Sequence, residues 1–324
     1  MGEQTGILWT DHTFNPWEGC QKVGHGCDHC YAETRNARFG GGTAQNWGPG
    51  APRRLTSREN WNQPRRWNRE AIQSGRRSKV FCASLADVFD KAVDPIWREN
   101  LFDVVNDCKA MDWQMLTKRI GNVDRMVPQD WRRRWPAHVW LMITVVNQAE
   151  ADRDIPKLIA LRHAFSIGTV GLSIEPMLGA MDIARYLPFI DWVIVGGESG
   201  REARPMHPDW VRSLRDQCAA AGVPFFFKQW GEWASAAIHM SSGNMVFRQF
   251  RDFGQWVAKG DTWVQGGICL DRYGNRLTNG GQMRSAQDEG RFPVTIMHRV
   301  GKARAGRQLD GRIHDAVPGQ VQHD

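Results

Sequence analysis

Short apolar runs recur along this chain of 324 residues, and most are separated by stretches long enough for a helix. The runs are rich in Val, Ile, Phe and Trp, which is typical of buried β-strands. Strand, helix and strand in succession require right-handed crossovers and a parallel sheet. The sequence therefore predicts an α/β fold, an open or partial barrel of six or seven strand–helix units. The predicted strands are residues 6–9, 80–85, 113–116, 139–146, 170–174, 192–195 and 224–227.

Two of the intervening stretches have clear helical signals. Asp94-Pro95 opens the first, and Pro208 opens the second, which Gly222 ends. After Trp233 the apolar runs shorten while Gly, Ser, Arg and Gln become more frequent. We therefore predict a barrel domain over residues 1–233 and a C-terminal extension over residues 234–324, with short strands near 263–270 and 292–297.

The formal charge of +7 is unevenly distributed. Residues 51–79 hold nine basic and two acidic side chains, a surplus of seven that equals that of the whole chain. They belong to a predicted basic insertion at residues 40–79, in which Trp61 and Trp67 lie among the arginines. Cations and flat rings together suit a nucleic-acid backbone and its bases. A solvated loop whose arginines pack on tryptophans explains the same pattern, so both interpretations stay open.

The N-terminal residues show no basic region followed by an apolar stretch, and no apolar run reaches the length of a bilayer. We expect a cytoplasmic protein without a membrane segment. Seven cysteines is an odd number in a chain too large to need disulfide staples. A metal site together with ordinary core thiols is the better expectation.

Three of the cysteines form the cluster Cys20-x6-Cys27-x2-Cys30, in a loop that contains several glycines. Three thiolates can bind three irons of a four-iron cluster and leave the fourth iron open to a small chelating ligand. Zinc is the competing metal, because His25 or His29 would complete a Cys3His site. Spacing alone leaves the two near parity. The polar strand ends described next favour the iron–sulfur cluster, since a structural zinc site does not need them.

Polar side chains follow nearly every predicted strand. In a parallel α/β fold the chemistry gathers at the carboxyl ends of the strands, so this series predicts a functional site there. The residues are Ser84, Asp87, Thr117, Lys118, Thr144, Asn147, Glu175, Glu198, Lys228 and Gln229.

The stretch Cys27-Asp28-His29-Cys30-Tyr31-Ala32-Glu33, with Cys20 upstream, resembles the cluster loop of the radical S-adenosylmethionine (SAM) superfamily. More narrowly, the chain is similar to a phage-associated three-cysteine family within or beside that superfamily. The usual superfamily loop has three residues between its first two cysteines, whereas this one has six. The matching stretches are residues 9–16, 84–89, 116–119, 173–176, 196–200, 227–231 and 309–312, and span almost the whole length.

The resemblance implies roles for individual residues. His29 would lie near the adenine of SAM, and the amino-acid and ribose parts would contact Ser84, Asp87, Thr144, Asn147 and Glu175. Gly196-Gly197-Glu198 is similar to a superfamily triplet that binds the methionyl amine, but it follows the sixth predicted strand instead of the second. Glu198 is therefore predicted as a site carboxylate of open role, or as the helix-start residue of a tight turn.

Lys118 and Lys228 follow apolar strands. Either lysine would neutralise a phosphate or carboxylate of the substrate, and a salt bridge with Glu175 or Glu198 is the alternative. With these two carboxylates, the lysines are the predicted catalytic residues.

The resemblance also implies the chemistry. One electron from a flavodoxin-type donor or a reductase would cleave SAM to methionine and a 5'-deoxyadenosyl radical. The basic segments and the phage association indicate DNA or a modified nucleotide as substrate. The specific hypothesis is isomerisation of a hypermodified thymine side chain, which protects phage DNA from host restriction. A DNA-lesion repair lyase and a zinc-stabilised, non-catalytic nucleic-acid-binding protein are the alternatives.

Overall fold

The computed structural model describes residues 5–319 of the chain. By its internal contacts the chain divides into two compact units. The first contains residues up to Val145, Glu150–Ser173 and Tyr186–Val193. The second contains Val146–Ala149, Ile174–Arg185 and the residues from Ile194 onward. The domain boundary predicted at residue 233 remains a prediction. Residues 1–4 of the predicted barrel domain and residues 320–324 of the predicted extension lie outside the described range.

The strands are β1 (His12–Phe14), β2 (Trp17–Glu18), β3 (Arg54–Leu55), β4 (Ser78–Cys82), β5 (Met111–Thr117), β6 (Val139–Thr144), β7 (Val170–Ile174), β8 (Trp192–Gly196), β9 (Phe225–Gln229), β10 (Trp233–Ala234), β11 (Gln249–Phe250), β12 (Ile268–Leu270), β13 (Arg276–Leu277), β14 (Val294–Arg299), β15 (Gln308–Leu309) and β16 (Arg312–Ile313). The α-helices are α1 (Tyr31–Phe39), α2 (Arg58–Ser74), α3 (Pro95–Asp107), α4 (Ile120–Met126), α5 (Gln129–Arg133), α6 (Gln148–Phe165), α7 (Pro208–Ala221), α8 (Phe253–Trp263), α9 (Gly280–Asp288) and α10 (Lys302–Ala305). Two 3-10 helices cover His25–Cys27 and Ala184–Phe189.

Seven strands form one sheet in the order β1-β4-β5-β6-β7-β8-β9. The pairs from β1–β4 to β6–β7 are parallel, and helices connect most successive strands. β1 and β9 are the edge strands, so the sheet is open, as a partial barrel requires. The structure therefore confirms the predicted α/β class, and six of the seven predicted strands correspond to β4 through β9.

The predicted strand at residues 6–9 is wrong. Those residues form a turn, in which the Thr10 amide donates to the carbonyl oxygen of Ile7. The Trp9 side chain is buried although it lies outside a strand, and its ring centroid is 4.7 Å from that of Phe81. The first strand of the sheet is instead β1, which pairs with β4 through the register of Thr13 with Phe81.

The core of the first unit is rich in tryptophan. Trp192 lies edge-on to both Trp9 and Trp140, with ring centroids 6.1 Å and 6.0 Å apart. Phe14 meets Trp113 in the same edge-on geometry at 6.0 Å. Aromatic pairs of this geometry add stability beyond the area they bury.

Helix α3 confirms the predicted start: Asp94 accepts the Ile96 amide at 2.9 Å, and Pro95 occupies the first helical position.

The basic segment is not a loop, because residues 58–74 form helix α2. Ser57 caps its first turn, and Gly75 ends it with φ at 66°. Trp67 is a buried residue of this helix, and its ring stacks on His12 with ring centroids 4.4 Å apart.

The second unit contains a small sheet in the order β10-β14-β12-β13, with β11 also paired to β14. Its pairs are antiparallel, and β12 and β14 occupy two regions where strands were predicted. The prediction for 263–270 begins too early, because Trp263 is the last residue of α8. Helix α7 starts at Pro208 and ends before Gly222, as predicted. Within residues 5–319, no helix combines the length and apolar character that crossing a membrane requires.

Candidate functional site

The cysteine loop begins directly after β2. Gly19 has φ at +117°, and a Cβ there would lie 2.5 Å from the Asn46 carbonyl oxygen, so only glycine fits. Its amide donates to the carbonyl oxygen of Leu85 at 3.1 Å. Cys27 lies in the 3-10 helix and is buried, whereas Cys20 and Cys30 are half-buried. Cys30 is the N-cap residue that immediately precedes helix α1.

Two further contacts fix the path of the loop within the first unit. The Tyr31 hydroxyl donates to the Ser84 carbonyl oxygen at 2.6 Å, just after β4. Gly24 lies against the first turn of α6, because a Cβ there would lie 2.6 Å from a carboxylate oxygen of Glu150. The loop therefore lies beside the carboxyl end of β4 and the beginning of α6. This is the edge of the sheet at which the sequence predicted a site.

Arg119, just beyond the end of β5, contacts the first cysteine directly. One guanidinium nitrogen donates to the Cys20 Sγ at 3.4 Å and to the Gln21 carbonyl oxygen at 2.8 Å. The other terminal nitrogen donates to Asp87 at 2.9 Å. Arg119 is almost completely buried, so water screens these contacts weakly.

Lys118 lies near the other end of the loop. Burial raises the pKa of Cys30, and the backbone amides of Glu33 and Ala32 and the charge of Lys118 oppose this rise. Burial raises the pKa of Cys20 to about 11, against the opposing charge of Arg119.

Three cysteine thiolates are the donor set that can bind three irons of a four-iron cluster. Among the His, Cys, Asp and Glu side chains of residues 5–319, no group of three is arranged to bind a single metal ion. Ligand sulfurs around one tetrahedral zinc lie ~3.8 Å apart, because each Zn–S bond is about 2.3 Å. In a four-iron cluster each thiolate binds a different iron, so its sulfurs lie farther apart. Two cations beside the loop would also offset the negative charge of such a cluster.

The predicted cofactor-binding residues of the first unit lie around this loop. The Ser84 hydroxyl is hydrogen-bonded to the buried Asn15 at 3.1 Å, and Thr144 accepts a hydrogen bond from Lys118 at 3.3 Å. His29 lies in the loop, half-buried. Asp87 accepts four hydrogen bonds from groups of the protein. Contacts of Ser84, Asp87, Thr144 and His29 with SAM remain predictions.

In the second unit the structure brings Glu175 and Lys228 together. Their charged atoms lie 3.1 Å apart, and both side chains are largely buried. A Cβ on Gly196 would lie 2.5 Å from the Glu175 carboxylate, so glycine at the end of β8 makes room for this pair. The salt bridge weighed from the sequence is thus present. A catalytic role for either residue remains a prediction, and so does cofactor binding by Asn147.

Glu198 is buried and held by Arg204. Its carboxylate accepts two side-chain hydrogen bonds from Arg204, at 2.7 Å and 2.9 Å, and one from the Arg204 amide at 2.8 Å. No helix begins at Glu198, because α7 starts ten residues later at Pro208. Glu198 therefore is not a helix-start residue, and its predicted role as a site carboxylate remains open.

The family model described as "Protein of unknown function (DUF5131)" matches residues 4–318. The chain belongs to this family. No curated protein is significantly similar to it in sequence.

Solved structures resemble this DUF5131 protein weakly. A cysteine-to-serine mutant of spore photoproduct lyase has a TM-score of 0.45 at 10% identity, covering 68% of this chain and 76% of its own. A structure of that lyase "with bound AdoMet and dinucleoside spore photoproduct" has a TM-score of 0.39 at 12% identity, covering 64% and 61%. A class V chitinase from Pseudomonas fluorescens Pf-5 has a TM-score of 0.24 at 14% identity, covering 86% and 87%. With every TM-score below 0.5, these likenesses assign no activity.

Sequence reasoning missed three residues that hold predicted site residues in place, Asn15 and Arg119 in the first unit and Arg204 in the second. Arg119 lies in one of the stretches that resemble the phage-associated family, but only Lys118 was singled out from it. Asn15 also lies in a matching stretch, residues 9–16, but was not singled out. Arg204 lies outside the matching stretches and gave no signal, because its importance comes from its partner Glu198.

Proposed function

We propose that this chain is a radical SAM enzyme that binds a four-iron cluster through Cys20, Cys27 and Cys30. The observation that supports this most directly is the position of the cysteine loop. It lies beside the carboxyl end of β4, where the Tyr31 hydroxyl donates to the Ser84 carbonyl oxygen, and the Arg119 guanidinium donates to the Cys20 sulfur. Such a charge arrangement suits a thiolate-bound, negatively charged group.

When bound and reduced by one electron, a cluster of this kind supplies cleavage of the SAM sulfonium to methionine and a 5'-deoxyadenosyl radical. The residues of this chain bind and orient the reactants and exclude water from them. Cys27, Thr144 and Arg119 are buried, so they help to exclude water from the surroundings of the loop. Lys118 is placed to attract an anionic group of the cofactor or the substrate.

Anaerobic reconstitution with iron and sulfide tests the cluster. We expect about four irons and four sulfides per chain, a brown colour, and loss of both in the Cys27→Ala variant. Cys218→Ala is the matched control, because Cys218 is a buried cysteine of α7 and is not part of the loop; this variant should keep the cluster. A colourless protein with one zinc per chain, lost together with the fold of the loop on Cys27→Ala, would overturn the proposal and favour the non-catalytic binder.

The proposed substrate is DNA that contains a hypermodified thymine, whose side chain the enzyme isomerises. The support comes from the resemblance to the phage-associated family and from the positive net charge of the chain. A flavodoxin-type protein or a reductase is the proposed electron donor. The specific reaction rests on the sequence resemblance alone.

Nucleoside analysis tests the substrate. Reduced enzyme and SAM are incubated with phage DNA, with unmodified DNA and with irradiated DNA, and the digests are compared by mass spectrometry and chromatography. We expect a new chromatographic peak of unchanged mass from the modified nucleoside, since isomerisation conserves mass. Conversion only in irradiated DNA would indicate a repair lyase instead. Deoxyadenosine formation without change in any DNA would exclude all three DNA substrates.

A further inference from the structure

Arg119 joins the cysteine loop to the end of β5. Its guanidinium donates to the Cys20 sulfur and to the carbonyl oxygen of the next residue, Gln21, at 3.4 Å and 2.8 Å. These two contacts fix both the side chain and the backbone at the start of the loop. Only 7% of the Arg119 side chain is exposed, so its charge acts on the sulfur at close range and largely without water.

Asp87 holds the guanidinium in place. One of its oxygens accepts from the Phe89 amide at 2.9 Å and the Thr117 hydroxyl at 2.8 Å. The other accepts from the Lys118 amide at 3.0 Å and from Arg119 at 2.9 Å. A carboxylate has about four acceptor positions, and here all are used. Asp87 therefore acts on the loop through Arg119.

Thr117 locks the same arrangement from the backbone side. Its hydroxyl donates to Asp87 and accepts the Arg119 amide at 2.8 Å. The carboxylate, the hydroxyl and the guanidinium thus form one buried network, and such networks keep their members in a single geometry when every group is satisfied.

A donor and a positive charge at a ligand sulfur have a defined effect on an iron–sulfur cluster. The reduced cluster carries one more negative charge than the oxidised one. An N–H···S hydrogen bond and a nearby cation stabilise the reduced form more, which raises the reduction potential. Second-shell contacts of this kind also orient the ligand itself.

We propose that Arg119, held by Asp87, is a positioning residue that orients Cys20 and raises the reduction potential of the cluster. This rests on the proposed function, because it requires a cluster on Cys20. It assigns Asp87 to the support of the cluster loop and not to SAM.

The test is a redox titration of reconstituted protein, in which electron paramagnetic resonance of the reduced cluster is the readout. We expect the midpoint potential of Arg119→Met to be more negative than that of the wild type. Arg119→Lys keeps the charge and should lie between the two. Asp87→Asn, which keeps the shape but loosens the guanidinium, should shift the potential in the same direction.

Arg77→Met is the matched control. Arg77 makes the same kinds of contact at the opposite end of β5, donating to Asp112 at 2.9 Å and to the Met111 carbonyl oxygen at 2.7 Å. Among the described residues it contacts no cysteine. Its replacement should leave the midpoint potential unchanged.

The outcomes separate this inference from the proposed function. A wild-type protein that takes up no iron overturns both. A wild type with a full cluster and an Arg119→Met variant of equal iron content and equal potential overturns the role of Arg119 alone. A folded Arg119→Met variant that binds less iron, with uptake restored by Arg119→Lys, supports the positioning role. If Arg119→Met does not fold, an unchanged potential in Asp87→Asn and Arg119→Lys overturns it.

Discussion

His207 is a buried residue whose protonation the fold opposes. It is fully buried at the start of α7, where its Nδ1 accepts the Asp209 amide at 3.2 Å. The remaining nitrogen, Nε2, therefore carries the hydrogen and donates to the Thr295 hydroxyl at 2.7 Å. The contact at Nδ1 requires the neutral imidazole, because a protonated Nδ1 cannot accept a hydrogen bond. Burial lowers the pKa of His207 from 6.5 to about 4, although the charge of Asp209 raises it.

This lowered pKa predicts a loss of stability in acid. Between pH 6.5 and pH 4 the unfolded chain binds a proton that the folded chain does not, so the free energy of unfolding falls as the pH is lowered. The expected loss from this residue is about 2 kcal/mol between pH 7 and pH 5. Urea unfolding at these two pH values measures it.

The matched variant is His207→Asn, since asparagine also accepts a helix-capping hydrogen bond but does not titrate. Its free energy of unfolding should change less between pH 7 and pH 5 than that of the wild type. Equal pH dependence in the two proteins would show that His207 is not the group responsible.

At the scale of elements, the turns after β8 and β9 cross each other at two glycines of the second unit. A Cβ on Gly197 would lie 1.9 Å from the Trp230 carbonyl oxygen, and one on Gly231 would lie 2.1 Å from that of Glu198. The Gly197 amide also donates to Gln229 at 2.9 Å. The glycines next to Glu198 are thus explained by this close approach of two backbones.

We expect Gly197→Ala to lower the free energy of unfolding by about 1–3 kcal/mol, because the clashing atoms are backbone and cannot rotate away. Thermal unfolding followed by circular dichroism measures the effect. Gly121→Ala is the control: Gly121 is exposed on α4 with open space around it, so alanine should be neutral or stabilising by up to about 1 kcal/mol. A Gly197→Ala protein as stable as the wild type would contradict the crossing.

Across the whole molecule, less positive charge is available to attract DNA than the net charge of the sequence indicates. Arg53 is buried and donates to Asp90 at 2.8 Å, and other basic residues of the segment 51–79 have acidic partners from outside it. Exposed pairs of this kind contribute little to stability, but they reduce the positive field that DNA would meet. These pairs are Arg54 with Glu18, Arg65 with Asp107, Arg77 with Asp112 and Lys79 with Asp11.

The segment 51–79 therefore serves the fold in large part. The Trp61 indole donates to the Pro16 carbonyl oxygen at 3.1 Å, and Trp67 is a buried residue of α2. Neither interpretation described this segment as a helix, and several of its arginines pair with acidic residues instead of packing on tryptophans. A DNA substrate rests mainly on the family resemblance.

The sequence by itself determined the α/β class, six strands of the parallel sheet and the cysteine loop at its edge. These were predictable because β6, β7 and β8 are buried along their whole lengths and must be apolar throughout, and because thiolate ligands need close spacing. Only the tertiary structure decided which charges meet. Asp87 and Arg119 are 32 residues apart, and Glu175 and Lys228 are 53 apart. Partners so distant in sequence leave no local periodicity, because the sheet places strands side by side that are far apart in the chain.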